Sequence, residues 1–209
     1  LIQMDHKGKF DKPVAIIDQP YHLSFPAVFK YKNDYFLIPE SRQNKTIELY
    51  KCLDFPYKWE LFSTLMKNVE AVDTIIFYHE NTWWMFTNIV ENKGASSLDE
   101  LFLFYSEDLF SNNWQPHLQN PIISDVRKSR SAGNIFIHNG LIIRPSQDNS
   151  HRYGHGISFN EIKILNKDKY EEIDIGFIAP DWKKNIIATH TFNNKGNLTI
   201  IDGVIRKIL

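Results

Sequence analysis

One hairpin signature, written four times, limits what this chain can become. Its clearest copy is Asp73-Thr-Ile-Ile-Phe-Tyr-His-Glu-Asn-Thr-Trp-Trp-Met-Phe-Thr87, where an apolar run meets a short polar turn and returns as a second, aromatic-rich run. Only a strand buried on both faces readily uses Trp83-Trp84-Met85-Phe86. The other copies are Pro26–Phe29 with Tyr35–Ile38, Asn134–Phe136 with Leu141–Ile143, and His190–Phe192 with Asn197–Ile201. Phe29, Phe77, Phe136 and Phe192 mark the turns. Repeats of roughly 40 to 50 residues with several strands each are the signature of propeller blades, and the longer intervals here leave room for loop insertions. A β-sandwich predicts no such recurrence of one hairpin type. The expectation is an all-β, five-bladed β-propeller whose first blade is partly or wholly missing from this chain.

Blades are expected at 21–62, 63–118, 119–170 and 171–209, all within a single domain at 1–209. Leu1 is not a start methionine, and Gly8-Lys9-Phe10 with Pro13–Ile17 reads as the outer strands of a preceding blade. Residues 1–20 are therefore expected to be a remnant of that blade, and the chain a fragment of a longer protein. Glu161 to Tyr170 carries helix-like charges and reads equally as a short helix or a short connector. Trp59 and Trp114 recur at outer-edge positions, as a structural repeat would place them. Trp83 and Trp84 are adjacent, point to opposite faces, and are expected in the core between sheets.

Composition removes several functions. A net charge of -1 with no basic stripe argues against a nucleic-acid surface. No apolar run reaches the roughly 18 residues of a spanning helix, and no signal peptide opens the chain. The one cysteine, Cys52, excludes an internal disulfide. A cytoplasmic protein with an uncharged or locally recognised ligand is the expectation. Zinc spacings, GxSxG, HExxH and a phosphate-cradling glycine loop are all missing from the sequence.

Nine short stretches together carry a family resemblance. They are His22-Leu-Ser-Phe-Pro26, Pro39-Glu-Ser41, Val72-Asp73, Trp83-Trp84, Ser124-Asp-Val-Arg127, Ala132-Gly133, Arg144-Pro-Ser-Gln-Asp148, Arg152-Tyr-Gly154 and Thr189-His-Thr191. The hairpins, with Asp73 opening its inner strand, resemble the five-bladed propellers of glycoside hydrolase family 43. More closely, the chain resembles the propeller domain at the N-terminus of glucosamine inositolphosphorylceramide transferases and its bacterial relatives. That resemblance implies a domain without secure activity of its own, fused upstream or downstream to a transferase or sugar-modifying domain. Its implied partner is a sugar, a sugar phosphate or a nucleotide sugar.

In a propeller, residues at the start of each inner strand converge on the central funnel. Here these are Ser24, Asp73, Ala132 with Gly133, and Thr189 with His190. Glycoside hydrolysis usually needs two carboxyl groups held roughly 5 to 10 Å apart. The family 43 resemblance assigns Asp73 to a third acid that orients and tunes the proton donor. It also implies a glutamate where the chain has Ala132-Gly133, and a base in the blade that is missing. Glu40 and Asp148 are the acids left to complete a catalytic set with Asp73, and each is equally read as cross-linking loops or blades. For substrate binding the candidates are His22, Ser24, Arg144, Gln147, Arg152, Tyr153, Trp182 and His190. Arg144 and Gln147 lead because a planar guanidinium can hold a carboxylate or phosphate through two parallel bonds. Arg127 and Arg130 read instead as partners of Asp125 and Asp148. The resemblance further implies a divalent cation in the central channel, with His190 as ligand; a lone histidine reads as readily as a hydrogen-bonded wall residue, and no cofactor is required. Three functions stay open: a catalytically degenerate carbohydrate-recognition propeller serving glycan or glycolipid biosynthesis, an active glycosidase or sugar transferase, and a protein-interaction propeller.

Overall fold

The structure, a computed structural model, describes residues 1–5, 7–92 and 94–206. It is built from consecutive antiparallel sheets. The first has strands β1 (Ser24–Tyr31), β2 (Asp34–Ser41), β3 (Thr46–Asp54) and β4 (Lys58–Lys67), paired in chain order. The second has β5 (Ala71–His79), β6 (Thr82–Ile89) and β7 (Glu100–Ser106). Beyond β7 its outer row is split into two short pieces, β8 (Gln115–Pro116) and β9 (Ile123–Ser124). Between them Asn120 substitutes for a strand residue: its Oδ1 accepts from Leu103 N and its Nδ2 donates to Leu103 O, each at 2.8 Å. The third sheet is β10 (Phe136–His138), β11 (Leu141–Asp148), β12 (Gly156–Leu165) and β13 (Tyr170–Ile178).

A fourth hairpin follows in interrupted form. β15 (Phe192–Lys195) pairs with β16 (Leu198–Ile201), and the same two chain segments meet again as β14 (Ile186–Ala188) with β17 (Val204–Ile205). Among the described residues β16 has no partner on its other edge. Opposite faces of the sheets stack through two cores. Trp83 and Met85 join Phe36, Ile38 and Leu49 between the first and second sheets. Trp84 and Phe86 face the other way, onto Ile135, Ile162 and Tyr170 of the third. The expected division of the tryptophan pair between faces is what the pleat delivers. Phe192 then rests on the third sheet, 4.9 Å from the Phe159 ring centroid and 5.6 Å from that of Phe136.

All four hairpins close in two residues, and positive φ angles occur in each turn: Lys32 (54°), Glu80 and Asn81 (48° and 59°), Asn139 and Gly140 (51° and 79°), and Gly196 (59°). Left-handed turn residues match the right-handed twist of the flanking strands, so the turn chemistry legible in Glu-Asn and Asn-Gly sets the register. The Trp repeat is local as well. Trp59 and Trp114 each donate their indole N–H to the carbonyl three residues earlier, Pro56 and Ser111, at 2.9 Å.

Three differences from the sequence expectation have one cause. The first sheet runs on to Lys67 rather than ending at 62, the third takes in residues 170–178, and β12 continues through Leu165 where a short helix or connector was expected. The aromatic markers lie on the buried inner strands, whereas outer strands are half-exposed and have no comparable pattern. Residues 1–20 contain no extended strand among those described, but a Met4–Phe10 bridge and backbone bonds from Asp5 N to Lys9 O, Asp11 N to Gln3 O and Val14 N to Leu1 O pair the segment with itself in antiparallel fashion. No described helix is long and apolar enough to cross a membrane.

Candidate functional site

The site begins with a kink. β5 bulges between Val72 and Ile75, and Asp73 in that bulge has φ of 49°. β1 bulges between Ser24 and Ala27, with Phe25 at φ 41°. Positive φ in a non-glycine residue away from a turn is costly and occurs where the surroundings over-determine it. In each case the residue stands the same number of steps before its hairpin turn. Ala132 and Thr189 hold that place in the third sheet and the fourth hairpin.

Asp73 is 2% exposed, and its carboxylate is held by two donors, one from the lead into the third sheet and one from β11. Arg130 Nε donates to Asp73 Oδ2 at 2.6 Å, and Gln147 Nε2 donates to the same oxygen at 3.2 Å. Gln147 Nε2 also reaches Ser131 O at 2.8 Å, while its Oε1 and the Ser131 hydroxyl are buried without a protein partner. Glu40 completes the group from the first sheet, 3.9 Å from Arg130 NH2 and across the ladder from Ser24. Burial pushes the Glu40 carboxyl up and the neighbouring Asp73 charge pushes it further. Arg130 pulls it down, a hydrogen bond with Asp73 raises it again, and Ser24 lowers it. Glu40 and Gln147 occupy matching places on β2 and β11, equally far past their turns.

A second row continues outward from Arg130. The half-exposed ring of Tyr153 lies 5.2 Å from the Arg130 guanidinium carbon, and its centroid is 5.2 Å from that of His190. His190 Nδ1 stands 2.5 Å from Asp202 Oδ2. Asp202 Oδ1 accepts from the backbone N–H groups of His190 and Thr191 at 2.9 and 2.7 Å. Burial works against the Asp202 charge, but the His190 side chain and these two N–H groups outweigh it and hold the carboxyl well below the usual carboxylate range. Glycine is required where the rows meet. A Cβ on Gly133 would lie 1.9 Å from Phe192 O, and one on Gly154 would lie 2.8 Å from His190 Cβ. Beside Gly133 a cavity of about 220 Å³ is lined by Phe25, Ala27, Asn134, Thr191 and Asn193.

The structure thus gathers Asp73, Glu40, Ser24, Gln147, Tyr153 and His190. Arg144 is elsewhere. It stands where the first two sheets carry Leu37 and Met85, is 0% exposed, and is bound by Glu172 through Nε and NH2 at 2.8 and 2.7 Å. Tyr170 O–H donates to the same carboxylate at 2.5 Å. A guanidinium in a core position cannot reach a ligand, so the expected anion-binding role falls. Arg130, read from sequence as a partner of Asp125 or Asp148, is the arginine of the site; Arg127 does pair with Asp125, at 2.7 Å. Asp148 turns away to accept from Ser150 N at 2.8 Å, closing a local turn. Arg152 is exposed in the loop before Tyr153, and His22 lies apart, its backbone N donating to Gln43 Oε1 at 2.9 Å. Trp182, 45% exposed, would touch a Cβ placed on Gly203, at the far end of the fourth hairpin.

The implied cation finds a poor fit. Among the described residues no three side chains of His, Cys, Asp or Glu converge as a metal-binding group around His190 or elsewhere.

Comparison with known proteins follows the same lines. The family-43 enzyme (GH43_1) from Xanthomonas citri complexed with xylotriose superposes with a TM-score of 0.61 at 7% identity, covering 88% of this chain and 67% of that one. A thermostable family-43 glycoside hydrolase gives 0.56 at 15% identity, covering 78% and 55%. The fold is therefore a family 43-like β-propeller. In sequence, glucosamine inositolphosphorylceramide transferase 1 of Arabidopsis thaliana is 33% identical over 197 residues, which are 90% of this chain and 26% of that protein. The chain spans about a quarter of the length of the curated relatives it matches. The family model described as glucosamine inositolphosphorylceramide transferase 1, N-terminal, matches residues 3–196. With nearly the whole chain matched, this protein belongs to the glucosamine inositolphosphorylceramide transferase 1 N-terminal family.

Proposed function

We propose that this domain is a carbohydrate-recognition propeller, derived from a glycoside hydrolase-like ancestor, that serves glycan or glycolipid assembly beside a glycosyltransferase or sugar-modifying domain. The three large sheets and the fourth hairpin belong, in this proposal, to a five-bladed ring. One observation supports the loss of hydrolysis: the buried Arg130 guanidinium bridges the two carboxyl groups, 2.6 Å from Asp73 Oδ2 and 3.9 Å from Glu40 Oε2. A hydrolytic pair needs roughly 5 to 10 Å between carboxyl groups to admit the anomeric carbon, with or without a water. Asp73 is instead neutralised by a buried guanidinium. What the cluster offers a sugar is a rim of Glu40, Tyr153 and His190, with Tyr153 as the aromatic face. No step passes through a cation.

A second reading has one observation in its favour. The raised Glu40 carboxyl is what a proton donor requires, and an acid from outside this chain could serve as its base. Ligand-observed NMR separates the two, using nitrophenyl furanosides and pyranosides, amino sugars, sugar phosphates and nucleotide sugars over hours. Recognition predicts binding that weakens in Asp73→Asn, with no product released. Release of nitrophenol, lost in Glu40→Gln, would establish hydrolysis and overturn the proposal.

A further inference from the structure

A second cavity, about 320 Å³, opens beside the funnel cluster and shares Glu40 with it. Its other walls are His22, Arg42, Gln43, Lys45 and Glu70, with the His22 imidazole as the one aromatic ring and no aliphatic residue among them. The loop that builds it is firmly set. β2 ends in the 3-10 turn Arg42–Asn44, Lys45 closes that turn at φ 56°, and Lys45 O accepts from Val69 N at 3.1 Å. Glu70 comes from the lead into β5, so the cavity lies where the first and second sheets adjoin.

Donors outnumber acceptors here. Arg42 spends one of its five N–H groups on Glu70 Oε2 at 3.2 Å, and Lys45 Nζ stands 3.5 Å from Glu70 Oε1. Gln43 has its oxygen committed to His22 N, which leaves its NH₂ end for a ligand. One carboxylate, Glu70, faces two cations. The other carboxyl, Glu40, is driven towards its neutral form by burial and by Asp73. Exposed ion pairs such as Arg42–Glu70 add little to stability, and the Val69–Lys45 backbone bond already fixes the loop. A ligand that fits these donors carries acceptor oxygens and a negative charge, and the side-chain stems leave room for a carbon framework behind them.

We propose that the His22–Arg42–Gln43–Lys45 cavity is a second subsite, which holds the oxyanion of a substituted sugar whose ring rests on the Glu40–Tyr153 rim. The assignment builds on the recognition function proposed above. Phosphate and carboxylate share the chemistry, an oxyanion matched by charge-assisted donors.

The test titrates the ¹⁵N-labelled 209-residue chain at constant ionic strength with inorganic phosphate, glucose 6-phosphate, glucuronate and glucose. The expected result is that phosphate, glucose 6-phosphate and glucuronate shift the Gln43 side-chain and Lys45 backbone signals, whereas glucose does not. The stronger of the glucose 6-phosphate and glucuronate arms identifies the oxyanion. Lys45→Ala and Gln43→Ala should each weaken that ligand about tenfold, the loss of one charge-assisted bond. Asp73→Asn should weaken glucose 6-phosphate and leave inorganic phosphate unchanged. Absence of any shift with inorganic phosphate and glucuronate, or full affinity in both loop variants, would overturn the subsite. Phosphate binding with glucose 6-phosphate unaffected by Asp73→Asn would overturn the shared placement and the recognition function beneath it, while leaving the cavity's anion affinity intact.

Discussion

Arg130 and Asp73 lie 57 residues apart in sequence and 2.6 Å apart in space, a buried ion pair joining the second sheet to the lead into the third. Removing one partner strands the other charge in a site from which water is excluded. Arg130→Met should cost about 3–5 kcal/mol in urea denaturation. Arg130→Met with Asp73→Asn should recover a substantial part of that loss, because the uncompensated carboxylate is then gone. Additive losses in the double variant would show that the pair is not coupled.

Glu40 gives the chain a pH signature. Its carboxyl is raised above the ordinary 4.5 of the unfolded chain, so the native state binds the proton more tightly. The resulting stability is fully present below about pH 4.5 and is lost as pH rises through the raised value. Glu40→Gln should flatten this part of the urea midpoint against pH and leave the variant more stable than the parent at pH 8.

Asp202 acts in the opposite sense. Its carboxyl is held below the ordinary 3.8 by His190 and two backbone N–H groups, so it stabilises the fold above that pH and the contribution fades as acid protonates it. Asp202→Asn should lower stability at pH 7 and narrow the gap to the parent as the pH is taken below 3. A gap of constant size across that range would rule out the ionised contact.

Arg144 and Glu172 are predicted to matter for folding alone. Arg144→Met leaves Glu172 buried with only the Tyr170 hydroxyl and should cost about 3–5 kcal/mol, while Arg144→Met with Glu172→Leu restores most of it. Sugar affinity in the double variant should match the parent. A selective loss of binding would return Arg144 to the site.

Gly133 is where the fourth hairpin docks. Phe192 N donates to Ala132 O at 2.7 Å, and a Cβ on Gly133 would overlap Phe192 O. Gly133→Ala should cost about 3 kcal/mol or more and should raise hydrogen exchange first at Phe192 and Thr191. Uniform loss of protection across all sheets would instead mean that the hairpin is not a separate unit.

The inner hairpins were legible because burial on both faces writes a continuous apolar run and the turns need residues that accept positive φ. Asp73 was legible for the same reason: a carboxylate opening such a run needs a purpose. The two arginines were exchanged. Arg144 follows Leu141-Ile-Ile143 in strand register, a place that predicts core, but the glutamate that makes burial tolerable lies 28 residues on and leaves no local trace. Arg130 sits in a stretch without periodicity between β9 and β10, where nothing fixes the direction of a side chain. The outer strands were misplaced for want of a buried marker. Counting from each turn would have paired Glu40 with Gln147 and brought both to Asp73.

The kink shared by Phe25 and Asp73 makes the funnel a set of interchangeable sockets. The same place before the four hairpin turns holds phenylalanine, aspartate, alanine and threonine, and the backbone bends with positive φ at the first two. Chemistry at the axis can therefore be rewritten one residue at a time while the sheets that hold it stay as they are.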